Sequence, residues 1–193
     1  MKRLFATATF LSLTAGPAFA HVGHGSTASL AAGLSHPLAG IDHVTAMVMV
    51  GFWAALKGGR ALWVWPAVFI AVMLFGGILG MRGISLPFIE PAIVASVVAL
   101  GILVALAVDL PVAAGGAIIT VFALFHGFAH GSEVTGNVSG MEYMAGFALA
   151  TATLHLAGIG FAKTMIYFAL RLAIRVAGVL CVLTGAGLFT GII

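Results

Sequence analysis

Six long runs of apolar residues constrain the fold of this chain more than any other feature of its sequence. The runs cover residues 34–56, 61–81, 87–108, 111–131, 141–161 and 164–193. Each is close to the ~20 residues that an α-helix needs to cross the hydrocarbon core of a bilayer. The apolar residues do not alternate with polar ones as in a membrane β-strand, so helices are expected. The sequence therefore predicts an all-α, polytopic integral membrane protein with six transmembrane helices.

The composition is that of a chain solvated by lipid. Hydrophobic residues make up 62% of the 193 residues and charged residues only 7%. A soluble domain carries about a quarter charged residues, so this chain lacks the side chains that would cover a water-facing surface. Its single cysteine, Cys181, excludes an internal disulfide and a CxxC metal or redox motif.

The N-terminal stretch MKRLFATATFLSLTAGPAFA has the pattern of a cleavable secretory signal peptide. Lys2 and Arg3 precede an apolar region, and Ala18-Phe19-Ala20 is an A-x-A cleavage site. The alternative is an uncleaved first helix.

Cleavage after Ala20 would divide the chain into three segments. They are a signal peptide at residues 1–20, a periplasmic segment at 21–33 and a six-helix transmembrane domain at 34–193. His21 would become the N-terminus, and its α-amine, its imidazole and that of His24 are suited to capture a divalent cation. The alternative is a tail whose histidines have no role.

The connections between the runs predict an orientation. A cleaved signal peptide places the start of the first run outside, and the connections near Lys57, Asp109 and Lys163 then fall inside. Lys and Arg are concentrated on that side, as the positive-inside rule requires. We therefore expect a multi-pass protein of the bacterial inner membrane with a periplasmic mature N-terminus.

Two further patterns predict how the helices are placed. In the first pattern, polar or basic residues recur every four positions, at Lys163, Tyr167, Arg171 and Arg175. This spacing predicts a single helical stripe at the cytoplasmic interface. The other is GxxxG spacing, which predicts close helix packing; it occurs at Gly76/Gly80, Gly127/Gly131 and Gly187/Gly191.

Apart from charges at the ends of the runs, the ionisable residues gather in or beside three runs, toward the predicted outer side. The residues of interest are His36, Asp42, His43, His126, His130, Glu133, Glu142 and His155. An ionised side chain at the centre of a membrane helix costs about 2.5–3.5 kcal/mol, so such residues are functional by default. A divalent cation would neutralise the carboxylates while imidazoles complete its shell. Nitrogen and oxygen ligands without thiolate suit nickel, cobalt, zinc or oxidised copper.

Helical spacing links the residues of the fourth run. His126, His130 and Glu133 stand at i, i+4 and i+7, so they share one helix face. An i, i+4 histidine pair is a familiar arrangement for presenting two imidazoles to one metal. In the first run His36 and His43 would also share a face, unless the proline and glycine between them bend or open the helix.

The fifth run carries less specific signals. His155 lies on a predicted stripe with Met144, Ala148 and Thr151, whose polar end would meet the other two groups. A lone histidine in a membrane helix is also expected as a hydrogen-bonding fastener between helices. Glu142, near the outer end of the run, is expected to be solvated or to attract cations.

Three stretches resemble the HupE/UreJ family of nickel and cobalt permeases. Residues 36–43, HPLAGIDH, are similar to its HPxxGxDH signature, residues 125–133 to its second motif and residues 142–155 to its third stretch. The resemblance covers the whole chain and implies nickel transport for hydrogenase or urease maturation. It implies functional roles for His36, Asp42, His43, His130 and Glu133; His126 and His155 match the pattern as well.

The sequence thus predicts a secondary transporter, not an enzyme, that moves Ni²⁺ or Co²⁺ into the cytoplasm through an intramembrane His/Asp/Glu site. The metal would be cargo, with no prosthetic group, and the expected partners are the metal ion and lipid, not nucleic acid. The main alternative is a membrane-embedded metal-dependent hydrolase or oxidase, which would need an open coordination position and a substrate cleft. A membrane-anchored metal sensor or chaperone is the third reading. Oligomeric state, proton coupling and the choice between nickel and cobalt are left open.

Overall fold

The computed structural model of the protein describes residues 30–134 and 139–192. The predicted signal peptide at residues 1–20, together with His21 and His24, lies outside these residues. Within the described part the chain is all-helical and forms seven α-helices. They are α1 (Leu30–Ala39), α2 (Ile41–Lys57), α3 (Ala61–Met81), α4 (Ile89–Ala105), α5 (Val112–Glu133), α6 (Ser139–Tyr167) and α7 (Arg171–Thr190).

Four of these helices, α3, α5, α6 and α7, are long and apolar enough to cross a membrane. Helices α1 and α2 reach that length only as a pair, and they are bent by 89°. Helix α4 is apolar but has 17 residues, or roughly 25 Å at 1.5 Å per residue, against ~30 Å of hydrocarbon core. By length and composition, the described residues thus contain four candidate membrane spans, or up to five if the bent pair is one span. The six predicted crossings are not confirmed.

A break at Gly40 replaces the single helix predicted for residues 34–56. The backbone of Gly40 is extended, with φ −100° and ψ 120°. A Cβ here would lie 2.6 Å from Asp42 Oδ1 and 3.0 Å from His43 Nδ1. Glycine therefore leaves room for the Asp42 carboxylate to fold back over the first turn of α2. His36 and His43 lie on different helices and share no helix face, so the opened helix, the alternative left by the sequence, is the one observed.

A second break separates α6 from α7. Residues 168–170 lie between the two helices, and Ala169 has a left-handed backbone with φ 58°. The predicted single stripe is therefore wrong, because Lys163 and Tyr167 belong to α6 whereas Arg171 and Arg175 belong to α7.

Glycines bring α3 and α5 into backbone contact. A Cβ on Gly76 or Gly80 of α3 would meet carbonyl oxygens of α5, and one on Gly127 or Gly131 would meet carbonyl oxygens of α3. The packing role predicted for these two GxxxG pairs is confirmed, since any side chain would overlap the opposing backbone. Gly191, by contrast, ends α7 with φ 69° in open surroundings, so the prediction is wrong there.

Helix α6 packs equally closely on α1 and α2. A Cβ on Gly33 of α1 would meet the carbonyl oxygen of Tyr143, and one on Gly51 of α2 would meet that of His155. As a result α1, the start of α2, the end of α5 and the first half of α6 surround one cluster of polar side chains.

The far end of α2 is tied to the connection between α4 and α5. The indole of Trp53 donates to the Val108 carbonyl oxygen at 2.8 Å, and that of Trp65 donates to the Val112 carbonyl oxygen at 2.9 Å. Lys57 forms an ion pair with Asp109 at the same end. The two indole rings stack with centroids 4.2 Å apart, so aromatic side chains close this end of the bundle.

Candidate metal-binding site

Three predicted residues from two helices meet at the open end of the cluster. Glu133 Oε2 lies 3.2 Å from His36 Nε2 and 3.6 Å from His130 Nδ1. One ligand atom from each of the three residues lies within 4.8 Å of the other two. We call these residues the surface site, because the Glu133 side chain is 52% exposed while that of His130 is 4% exposed. Two imidazoles and one carboxylate form a donor set that suits a divalent transition metal.

Helical spacing explains one half of the surface site and tertiary packing explains the other. His130 and Glu133 stand at i, i+3 near the end of α5, so they share its face. His36 comes from α1, which α6 holds in place through the Gly33 contact.

Two aromatic residues of α6 form a wall of the surface site that was absent from the sequence prediction. The Phe147 ring packs 4.2 Å from the His130 ring, and the Tyr143 ring lies 5.6 Å from the His36 ring, between centroids. The signal that would have found them is the i, i+4 series of Tyr143, Phe147, Thr151 and His155. The predicted stripe contained the last two but began one residue late, at Met144.

Asp42 acts on His43 in this structure. Its Oδ1 lies 2.7 Å from His43 Nδ1 and accepts the His43 backbone N–H at 2.8 Å. A carboxylate can only accept, so Nδ1 carries a proton, and in the neutral imidazole Nε2 then carries the lone pair. His43 Nε2 is buried and has no hydrogen-bond partner among the described residues. Such a carboxylate–histidine contact orients a metal-ligating imidazole.

Four imidazoles form a continuous row from the surface into the protein. Neighbouring ring centroids lie 4.7 Å apart for His36 and His130, 4.3 Å for His130 and His43, and 4.8 Å for His43 and His126. Each pair meets edge to face. The exposed fraction of the whole residue falls to 0% at His126. The two sequence motifs are therefore joined by direct contacts between their histidines.

Phe69 of α3 connects the end of this row to His155. Its ring centroid lies 5.8 Å from that of His126 and 5.0 Å from that of His155. His155 is completely buried, and neither ring nitrogen has a hydrogen-bond partner in the described part of the chain. A hydrogen-bonded fastener, the alternative considered for His155, does not describe this environment.

Beside the surface site a cavity of about 500 Å³ opens between α4 and α5. Two carboxylates line it, those of Glu133 and of Glu90, which lies in the first turn of α4. Apolar residues form most of the remaining wall. The cavity gives an ion direct access to Glu133.

Comparison with known proteins identifies the lineage of this chain. The family model described as HupE / UreJ protein matches residues 9–188. The chain belongs to the HupE/UreJ family. It is 45% identical over 174 residues to "Protein HupE" of Rhizobium leguminosarum bv. viciae. The aligned region covers 90% of this chain and 91% of that protein. No solved structure matches it.

Membership of the HupE/UreJ family and the apolar helices together make this a multi-pass membrane protein. The family resemblance drawn from the motifs is confirmed. Most of the residues predicted for the site are brought together by the HupE/UreJ fold, but Glu142 is exposed on α6, and no contact among the described residues joins it to the cluster.

Proposed function

We propose that this protein is a permease that moves a divalent transition metal, Ni²⁺ or Co²⁺, across the bacterial inner membrane into the cytoplasm. The observation that carries the proposal is the row of histidines running from the half-exposed Glu133 to the buried His126. Buried imidazoles without hydrogen-bond partners are costly in a membrane protein. A path along which a cation exchanges one nitrogen ligand for the next gives them a function.

The surface site is where we propose that the ion is captured. The carboxylates of Glu90 and Glu133 attract the cation into the cavity, and Glu133, His36 and His130 then replace part of its water shell. Binding depends on neutral imidazoles, because an imidazolium has no lone pair for a metal. A carrier must also release its cargo, which moderate affinity at each position allows.

Beyond the surface site the ion would pass to His43, held by Asp42, and then to His126 and His155. Asp42 contributes by fixing the His43 ring and by its negative charge near the path. Helix α2 begins at this point of the path. A broken helix lining an ion pathway is a recurrent feature of secondary transporters.

The orientation that we propose follows from the charges. The surface site would face the periplasm, and the opposite end, with Lys57 and Arg60, would face the cytoplasm in accord with the positive-inside rule.

We propose that the bent pair α1–α2 and the short helix α4 each count as one crossing, which gives six. A cleaved signal peptide at residues 1–20 would leave a periplasmic segment at 21–33 and the six-helix domain at 34–193, with His21 and His24 free to deliver the ion. The cargo would serve hydrogenase or urease maturation.

No contact in the described part of the chain favours a hydrolase or oxidase. Ser96 does touch His126, but its hydroxyl donates to the Ile93 carbonyl oxygen and the residue is completely buried. It therefore offers no nucleophile to a substrate from outside.

Metal uptake into sealed proteoliposomes tests the proposal. Nickel, cobalt and zinc are offered separately to wild type, Glu133→Gln and His36→Ala, with Glu142→Gln as a matched control for an exposed carboxylate outside the cluster. We expect nickel or cobalt uptake by wild type and the control and its collapse in the two site variants at equal protein yield. Binding without uptake in wild type would contradict a permease.

A further inference from the structure

A serine on the short helix α4 reaches the innermost member of the histidine row. Ser96 is completely buried, and its Oγ lies 2.9 Å from His126 Nε2 and 2.6 Å from the Ile93 carbonyl oxygen. We propose that Ser96 is a positioning residue that sets the tautomer of His126. This proposal rests on the function proposed above. His126 and His43, the buried histidine pair, then form a second cation position distinct from the surface site.

The proton on the serine decides the tautomer. A hydroxyl has one proton, and a carbonyl oxygen can only accept. At 2.6 Å the Ile93 carbonyl takes that proton, so Ser96 Oγ has only lone pairs to offer to His126. His126 Nε2 must therefore donate, and its Nδ1 carries the ring's lone pair.

A neighbouring residue also fixes the tautomer of His43, the other member of the buried histidine pair. Asp42 holds the proton of His43 on Nδ1 and leaves the lone pair on Nε2. His126 Nδ1 and His43 Nε2 are both buried and lack hydrogen-bond partners among the described residues. Their rings meet edge to face at 4.8 Å between centroids. Two different residues thus prepare two adjacent imidazoles as lone-pair donors before any ion arrives.

The chemistry of the buried histidine pair differs from that of the surface site. His126 precedes His130 by four residues on α5, or about 6 Å along the helix. The surface site includes the carboxylate of Glu133, a ligand type that also binds Mg²⁺ and Ca²⁺, whereas the buried pair presents nitrogen alone. An ion that accepts imidazole passes this position and a hard cation does not. The pair would therefore supply selectivity for transition metals.

Ser96→Ala, Ser96→Thr and Thr151→Val are compared to test this role. Thr151 is the matched control, because it is also completely buried and its hydroxyl contacts Met73 Sδ rather than a histidine. Solid-state ¹⁵N spectra in lipid, with the His126 signals assigned by their loss in His126→Gln, report the tautomer without any transport. We expect a protonated Nε2 in wild type, Ser96→Thr and Thr151→Val, and a shift toward protonated Nδ1 in Ser96→Ala.

Nickel uptake and its inhibition by Mg²⁺ are then measured on the same proteins. Loss of a residue that orients a metal ligand typically costs roughly 10–100-fold, and we expect that loss for Ser96→Ala, with recovery in Ser96→Thr and little change in Thr151→Val. An unchanged tautomer in Ser96→Ala, or an equal loss of uptake in Thr151→Val, would overturn the proposal. Absence of nickel uptake by wild type would instead refute the permease function, while the tautomer result would still decide the role of Ser96.

Discussion

The carboxylate of Asp42 holds His43 at two points, the ring Nδ1 at 2.7 Å and the backbone nitrogen at 2.8 Å. Because the two residues are neighbours at the start of α2, the contact is local: it depends on the first turn of that helix and on the space left by Gly40. This contact directs Nε2 of His43 away from Asp42. The His43 ring also touches the rings of His130 and His126.

Replacing Asp42 with asparagine should reduce metal uptake by roughly 10–100-fold, the usual cost of losing a partner that orients a metal-ligating histidine. The amide is neutral and holds the imidazole tautomer less firmly, while Glu133 and His36 still bind the ion. Uptake and equilibrium metal binding are measured together in proteoliposomes. Asp109→Asn is the control, since Asp109 is exposed at the opposite end. Wild-type uptake by Asp42→Asn would show that the contact with His43 has no part in transport.

Gly40→Ala should destabilise the protein and lower uptake together. The added Cβ would press on Asp42 Oδ1 at 2.6 Å and His43 Nδ1 at 3.0 Å, so the carboxylate must leave its position. We expect a loss of about 1–3 kcal/mol in the free energy of unfolding in detergent, the range for forcing an extra group into a space that is already filled. Gly160→Ala is the matched control, because nothing lies within 4 Å of a Cβ there. It should leave stability unchanged or raise it by up to about 1 kcal/mol, since alanine is the better helix former. Equal stability of the two variants would mean that the bend tolerates a side chain.

Acidification should slow nickel uptake. Protons and metal ions compete for the same imidazole nitrogens, and every member of the histidine row must be neutral to pass an ion. We expect initial uptake to fall as the pH is lowered from about 7 to about 5, because a protonated imidazole has no lone pair for the metal. The measurement is initial uptake with equal pH on both sides of the vesicle. Full activity at the lower pH with unchanged metal affinity would exclude direct ligation by histidine.

The two indole contacts at the closed end should matter more for stability than the ion pair beside them. Trp53 is completely buried and donates to the Val108 carbonyl oxygen, so Trp53→Phe removes both a hydrogen bond and packing. The net contribution of such a part-buried hydrogen bond is about 0.5–1.5 kcal/mol, and the smaller phenyl ring adds a loss of packing. Lys57→Ala removes an ion pair whose Asp109 side chain is 76% exposed, which is worth about 0–1 kcal/mol. Thermal unfolding in detergent ranks the stability of the two variants. A larger loss of stability in Lys57→Ala than in Trp53→Phe would contradict the prediction.

The local features of this protein could be predicted from its sequence because they depend on residues close along the chain. Apolar runs predicted helices, and residues 61–81 are the bounds observed for α3. His126, His130 and Glu133 share a face because helical periodicity alone places them there. The break at Gly40 was foreseen as an option, but its 89° angle was not, since the angle depends on how α1 and α2 pack against α6.

The partners of the polar residues were decided only by the tertiary structure. Ser96 and Phe69 belong to no motif, and Tyr143 and Phe147 carry no metal-binding group. The contacts of all four with histidines depend on the rotation and axial position of α3, α4 and α6. Glycines on the facing helices fix those positions by allowing backbones to touch. The sequence by itself thus determined the helical membrane class and offered the candidate metal ligands. Helix packing decided the order of the histidines in their row, because that order is a property of contacts between segments far apart in the chain.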